Sequence, residues 1–224
     1  ALEDLEAFIE TYPDSPLLPD AYLLIAHIHR QEGRTEEAMA TLVEVNSRFE
    51  GAPQAAEGLF TLGQLTLAGK GRERKLAARE IFAEVAEGYP RTTWAPQALA
   101  AKASIENDEK LRAQDPELDA SVPAALLSYR DLVNRYPTVE QAESAYWNLG
   151  KMYQAAKSFE RAAQTFSDLG TRFPQTRYDA WWEAGELYQE KLDDTERAIA
   201  AFQKVPSRSP RHDAAQKRLR RLQD

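Results

Sequence analysis

The chain has 224 residues, 43% hydrophobic and 29% charged, which is the make-up of an ordinary globular protein with length enough for a substantial core. A formal net charge of −8 and a pI near 5.1 exclude the basic footprint that broad nucleic-acid binding needs. The lack of cysteine excludes disulfides, thiol nucleophiles and Cys-ligated zinc, and no apolar run approaches the roughly eighteen residues of a membrane-spanning helix.

From the N-terminus, Ala1, Leu5 and Phe8 stand at offsets of four and three and predict a helix near 1–12, stopped at Tyr12-Pro13. Tyr22 and Ala26 mark a second helix near 19–32. Ala38, Leu42 and Val45 mark a third near 35–49, before the degenerate step Phe49-Glu50. Leu59 with Gly63 predicts a helix near 54–69, and Ala78, Phe82 and Val85 predict one near 73–89 that stops at Tyr89-Pro90. Leu99 with Ala103 falls in a helix near 95–110. Ala125, Tyr129 and Leu132 fall in one near 122–136, before Tyr136-Pro137. Tyr146, Gly150 and Tyr153 define 140–155, and Ala162, Phe166 and Leu169 define 158–173, before Phe173-Pro174. Trp181, Gly185 and Tyr188 define 177–191, followed by helices near 194–205 and 211–222. No leader segment follows Ala1, and the first helix has no partner before it, so the chain reads as opening midway through a repeat of a protein that continues upstream.

Two kinds of helix therefore alternate. One carries a large apolar residue, then a small one four later where two backbones cross closely. The other carries small, large and apolar residues at offsets of four and three and ends at the aromatic-proline step. The spacing slips around Gly69-Lys70-Gly71-Arg72, around Leu192-Asp193-Asp194, and by about ten residues between Asn107 and Val122. That last stretch, with Asp115-Pro116 and Val122-Pro123, reads as a longer inter-helix loop or an extended first helix.

From Tyr146 to Pro174 the run Tyr146, Leu149, Gly150, Tyr153, Ala162, Phe166, Leu169, Pro174 resembles the tetratricopeptide repeat, a helix-turn-helix unit of about 34 residues. The resemblance covers essentially the whole chain. It implies an all-α fold, a right-handed superhelical solenoid over 1–224: a half repeat at 1–13, repeats at 19–50, 54–90, 95–137, 140–174 and 177–206, and a capping helix at 211–222.

Candidate chemistry is sparse. His27 and His29 lie two apart and diverge by about 200° on a helix, so they cannot share a metal. His29 reads as packed, and no metal-ligand run is present. Gly69-Lys70-Gly71 lacks the strand and the spacing of a phosphate loop. Glu36-Glu37 and Asp193-Asp194 sit at helix starts, where carboxylates complement the dipole. Arg211, Lys217, Arg218, Arg220 and Arg221 suit an exposed capping helix. Hence no catalytic residue, metal or cofactor is expected, nor a nucleic acid or small-molecule substrate.

Phe60, Trp147 and Trp182 each follow the packing residue of a first helix by one position, about 100° around it. The resemblance implies that this direction faces a concave groove that holds peptides or partner helices. The expected partner-binding set is Phe60, Gln64, Trp147, Asn148, Lys151, Gln154, Asp179, Trp182, Glu186 and Gln189, with Trp147 and Trp182 lining one shared apolar patch. In relatives that grip C-terminal carboxylates, lysines stand where this chain has Leu23, Phe60, Ala100, Trp147 and Trp182, so that clamp is missing. The Tyr-Pro-x-Ser/Thr helix ends and alanine-rich first helices look like bacterial envelope repeat proteins such as the Tol-Pal accessory protein and the outer-membrane lipoprotein of the barrel-assembly machinery. They imply a non-enzymatic scaffold of the periplasm or outer membrane. The alternatives are a cytoplasmic scaffold arm or the substrate-recruiting region of a larger enzyme.

Overall fold

A computed structural model describes residues 1–223. Its described residues form two compact units, Ala1–Glu109 and a second that begins at Lys110. The first holds α1 (Leu2–Thr11), α2 (Leu18–Gln31), α3 (Thr35–Arg48), α4 (Pro53–Ala68), α5 (Arg72–Gly88) and α6 (Trp94–Asp108). The second holds a hairpin of β1 (Arg112–Asp115) and β2 (Ala120–Pro123), then α7 (Ala124–Arg135), α8 (Glu140–Ala155), α9 (Phe159–Arg172), α10 (Ala180–Glu190), α11 (Thr195–Gln203) and α12 (His212–Gln223). The predicted helices are all present among the described residues, with ends displaced by no more than three residues, the spread expected for helix termini.

Inside each unit a helix packs mainly on its sequence neighbours. The glycine of the first helix sets how close a pair comes. A Cβ on Gly150 of α8 would lie 2.5 Å from the Phe166 ring of α9, and the pairs Gly63–Phe82 and Gly185–Phe202 repeat the arrangement at 2.7 and 2.5 Å. With no side chain in the way, each phenylalanine lies across the first helix and is shut off from water. The aromatic step then closes a turn: the backbone N–H of Ser15, Thr92 and Thr176 donates to the carbonyl of Tyr12, Tyr89 and Phe173, at 3.1, 3.1 and 2.9 Å. Phe49-Glu50 forms the same turn through Ala52 N–H without a proline. The step works because three residues after an aromatic the chain can fold back on that aromatic's carbonyl, and proline only pre-sets the angle.

The stretch between Asn107 and Val122 is neither a plain loop nor an extension of α6. It is an antiparallel two-stranded hairpin, with Ala113 opposite Val122 and Asp115 opposite Ala120. Four-residue strands are too short to show a period of two in sequence, and so short a hairpin needs a tertiary partner. Asp115 supplies it. Fully buried, its carboxylate accepts the N–H of Glu117 at 2.9 Å and the Arg130 guanidinium of α7 at 3.0–3.2 Å. Burial pushes the Asp115 carboxyl up, but Arg130 and the N–H groups of Glu117 and Leu118 hold it below its ordinary value. Val122 of β2, opposite Ala113, is buried as well.

Candidate partner-binding faces

In the first unit the first helices α2, α4 and α6 line an open cavity of about 610 Å³. Two residues expected from the sequence, Phe60 and Gln64, meet there. Gln64 is exposed. Phe60 was expected to face the groove freely and does not: only 6% exposed, it is wedged between Phe82 at 5.5 Å and Trp94 at 5.1 Å, so one edge of the ring forms the cavity floor. Leu24, 54% exposed, and the half-buried Trp94 complete the apolar part of the lining. Asp20 and Glu57 stand toward the N-terminal ends of α2 and α4; Arg30 stands at the far end of α2, its guanidinium 3.0 Å from His27 Nδ1.

The second unit arranges the same positions differently. Trp147 on α8 is half-buried and stacks on Tyr178, with the Phe166 ring centre 5.3 Å from its own and Lys151 Nζ 4.9 Å from its ring centre. Lys151 also pairs with Glu183 of α10 at 2.7 Å. Trp182 is not the exposed indole expected; it is 6% exposed, packed on Phe202 of α11 at 5.5 Å and roofed by Arg211 and Arg218. Arg218 donates to Gln189, Glu186 and Glu190, so α12 is tied down over this face. Burial, with Glu190 close by, raises the Glu186 carboxyl above its ordinary value against the pull of Arg218.

The expected apolar patch shared by Trp147 and Trp182 is therefore absent: one indole lies under Tyr178, the other under arginines. Both neighbouring indoles pack: Trp181 fits against Gly170 of α9 with Lys204 over its ring, while Trp182 packs on α11. Asp179 accepts a hydrogen bond from Ser209 and is engaged between elements. Asn148 and Gln154 are half-buried and take no side-chain part in either cluster.

Sequence reasoning missed Trp94 and Tyr178, and a signal for both was present. Each stands four residues after an aromatic-step proline, Pro90 and Pro174, and each covers the residue after the packing position of the preceding first helix. Among the described residues no group of three or more His, Asp or Glu is arranged to hold a metal, and no helix is long and apolar enough to cross a membrane.

Comparison with known families matches the tetratricopeptide repeat at residues 144–176 and 179–212, and a second family of that description at 19–48. Three stretches of the chain match tetratricopeptide repeats. The matches at 144–176 and 179–212 span the helix pairs α8–α9 and α10–α11, where Gly150 and Gly185 receive phenylalanines, and the match at 19–48 spans α2–α3. Among solved structures of tetratricopeptide-repeat type, YrrB, described as a TPR protein with an unusual peptide-binding site, is 17% identical with a TM-score of 0.54, over 97% of this chain and 98% of its own. The MamA protein is 16% identical with a TM-score of 0.53, over 89% of this chain and 96% of its own. At such identities the likeness is one of fold. No curated protein sequence matches the chain.

Proposed function

We propose that this chain is a non-enzymatic interaction scaffold that holds a peptide or a segment of a partner protein against the first-helix face of its repeats. One observation carries the reading: the first unit keeps an open cavity of about 610 Å³ on that face, floored by aromatic rings and edged by an exposed leucine that no core contact requires. A side chain seated there gains burial at little cost in reorganisation. The peptide-binding site in the description of YrrB, a similarly folded protein, points the same way.

Selection from a displayed library of random peptides against the immobilised protein, followed by hydrogen exchange of the complex, tests this. Enriched peptides that protect α2, α4 and α6 support it. Failure to enrich any peptide, or protection confined to other helices, overturns it.

The setting proposed is a bacterial envelope assembly, on the periplasmic or outer-membrane side. That part rests on the Tyr-Pro-x-Ser/Thr helix ends and the alanine-rich first helices alone. Fractionation of cells making the native protein tests it, and recovery in the cytosol overturns it without touching the binding proposal.

A further inference from the structure

The two units differ sharply in charge. Residues 1–109 carry ten Lys and Arg against nineteen Asp and Glu, whereas residues 110–224 carry eighteen against seventeen. The net acidity of the chain thus falls in the first unit, whose first helices line the cavity described above.

The cavity's own charges are uneven as well. Asp20 and Glu57 are both exposed at one end, and among the described residues neither forms an ion pair; Asp20 is met only by the neutral amide of Gln54 at 3.2 Å. The cation of the lining, Arg30, stands ten positions further along α2, about 15 Å away by helix rise. In the second unit, by contrast, the first-helix charges answer one another: Lys151 with Glu183, Arg218 with Glu186 and Glu190. Unanswered carboxylates beside an apolar floor, within a field of net negative charge, form a surface that attracts a cation and repels an acidic segment.

We propose that the cavity of the first unit takes a basic, amphipathic peptide segment, with a lysine or arginine against Asp20 and Glu57 and a large apolar side chain next to it on Leu24, Phe60 and Trp94. This rests on the binding function proposed above and adds the chemistry of the partner. The separation of Asp20 and Glu57 from Arg30 also fixes polarity: the cation of the segment lies toward the N-terminal ends of α2 and α4. A segment that places a carboxylate there meets like charge, which is the discriminating element.

The test uses the peptides selected on the intact chain. The proposal expects them to be enriched in Lys or Arg adjacent to Leu, Phe or Trp. Their affinity should fall about five- to tenfold in the Asp20→Asn/Glu57→Gln variant, consistent with two partly screened surface charges. Raising salt from about 0.05 M to about 0.5 M should reproduce most of that loss. Leu24→Ser, at an exposed position, should weaken the same peptides with an unchanged unfolding midpoint, and Glu190→Gln in the other unit should leave them untouched. Enriched peptides that are neutral or acidic, or that bind the Asp20→Asn/Glu57→Gln variant as well as the parent, overturn this proposal and leave the scaffold function standing. A selection that enriches nothing overturns both.

Discussion

Tyr178 lies flat on Trp147, with ring centres 4.8 Å apart and planes within 13° of parallel, and thereby roofs a residue whose position faces out from its own helix. The equivalent pair in the first unit, Phe60 and Trp94, sits at 5.1 Å and is tilted by 33°. Each pair joins one first helix to the turn that begins the next. A double-mutant cycle on Trp147→Ala and Tyr178→Ala should give a coupling of about 0.5–1.5 kcal/mol in urea unfolding, the range for aromatic pairs beyond their area. Strict additivity would show that the rings touch without supporting each other.

Gly150→Leu should destabilise the second unit by about 1–3 kcal/mol through overpacking, although leucine is the better helix former. The cause is direct: even a β-carbon would sit 2.5 Å from the Phe166 ring. Chemical denaturation checks it, and a raised midpoint would contradict the packing described.

Trp182→Ala should act on stability rather than on binding alone. With 6% of the side chain exposed and Phe202, Arg211 and Arg218 around it, truncation leaves a cavity that should cost about 3–5 kcal/mol. Calorimetry should show the loss as a lowered unfolding temperature of the second unit. A folded variant with an unchanged transition would return Trp182 to the surface.

Asp115→Asn should loosen the hairpin, removing a buried charge-assisted contact with Arg130 worth about 2–3 kcal/mol at neutral pH. The sign of the pH dependence follows from the lowered carboxyl value. A carboxylate depressed on folding contributes stability above its unfolded value of about 3.9, and that contribution is lost as pH falls through the folded value. The parent and the Asn variant should therefore differ fully near pH 7 and converge as pH falls below about 3.9. A gap that stays constant with pH would mean that shape, not charge, holds the hairpin.

Most of the fold was legible because the same constraint is written several times. One weak stripe such as Leu59 with Gly63 says little, but its copies at Tyr146 with Gly150 and Trp181 with Gly185 fix the period and hence the helices. The hairpin had no copy, and it is held by long-range pairs, Asp115 with Arg130 and Glu117 with Arg130 and Arg161, that no local pattern announces. The candidate site was legible only by register. Phe60, Trp147 and Trp182 do hold equivalent places, but what covers each is different: Trp94, Tyr178 and a pair of arginines. The basic run of the last helix was visible as charge, whereas its reach back to Glu186 and Trp182 depends on which face of α12 packs, and that is set by Ala215 and Leu219 burying together.

Because each helix packs mainly on its neighbours in the chain, few contacts within a unit wait on distant segments to meet. Chain closure then costs little entropy before packing repays it, so folding should be fast and able to start at more than one helix pair. The same arrangement makes protection against hydrogen exchange a local property. α1, which buries no residue completely and leans mainly on α2, should exchange first; α5, gripped between α4 and α6 and bound to the buried Glu106 through Arg79, should hold its amides among the longest of its unit.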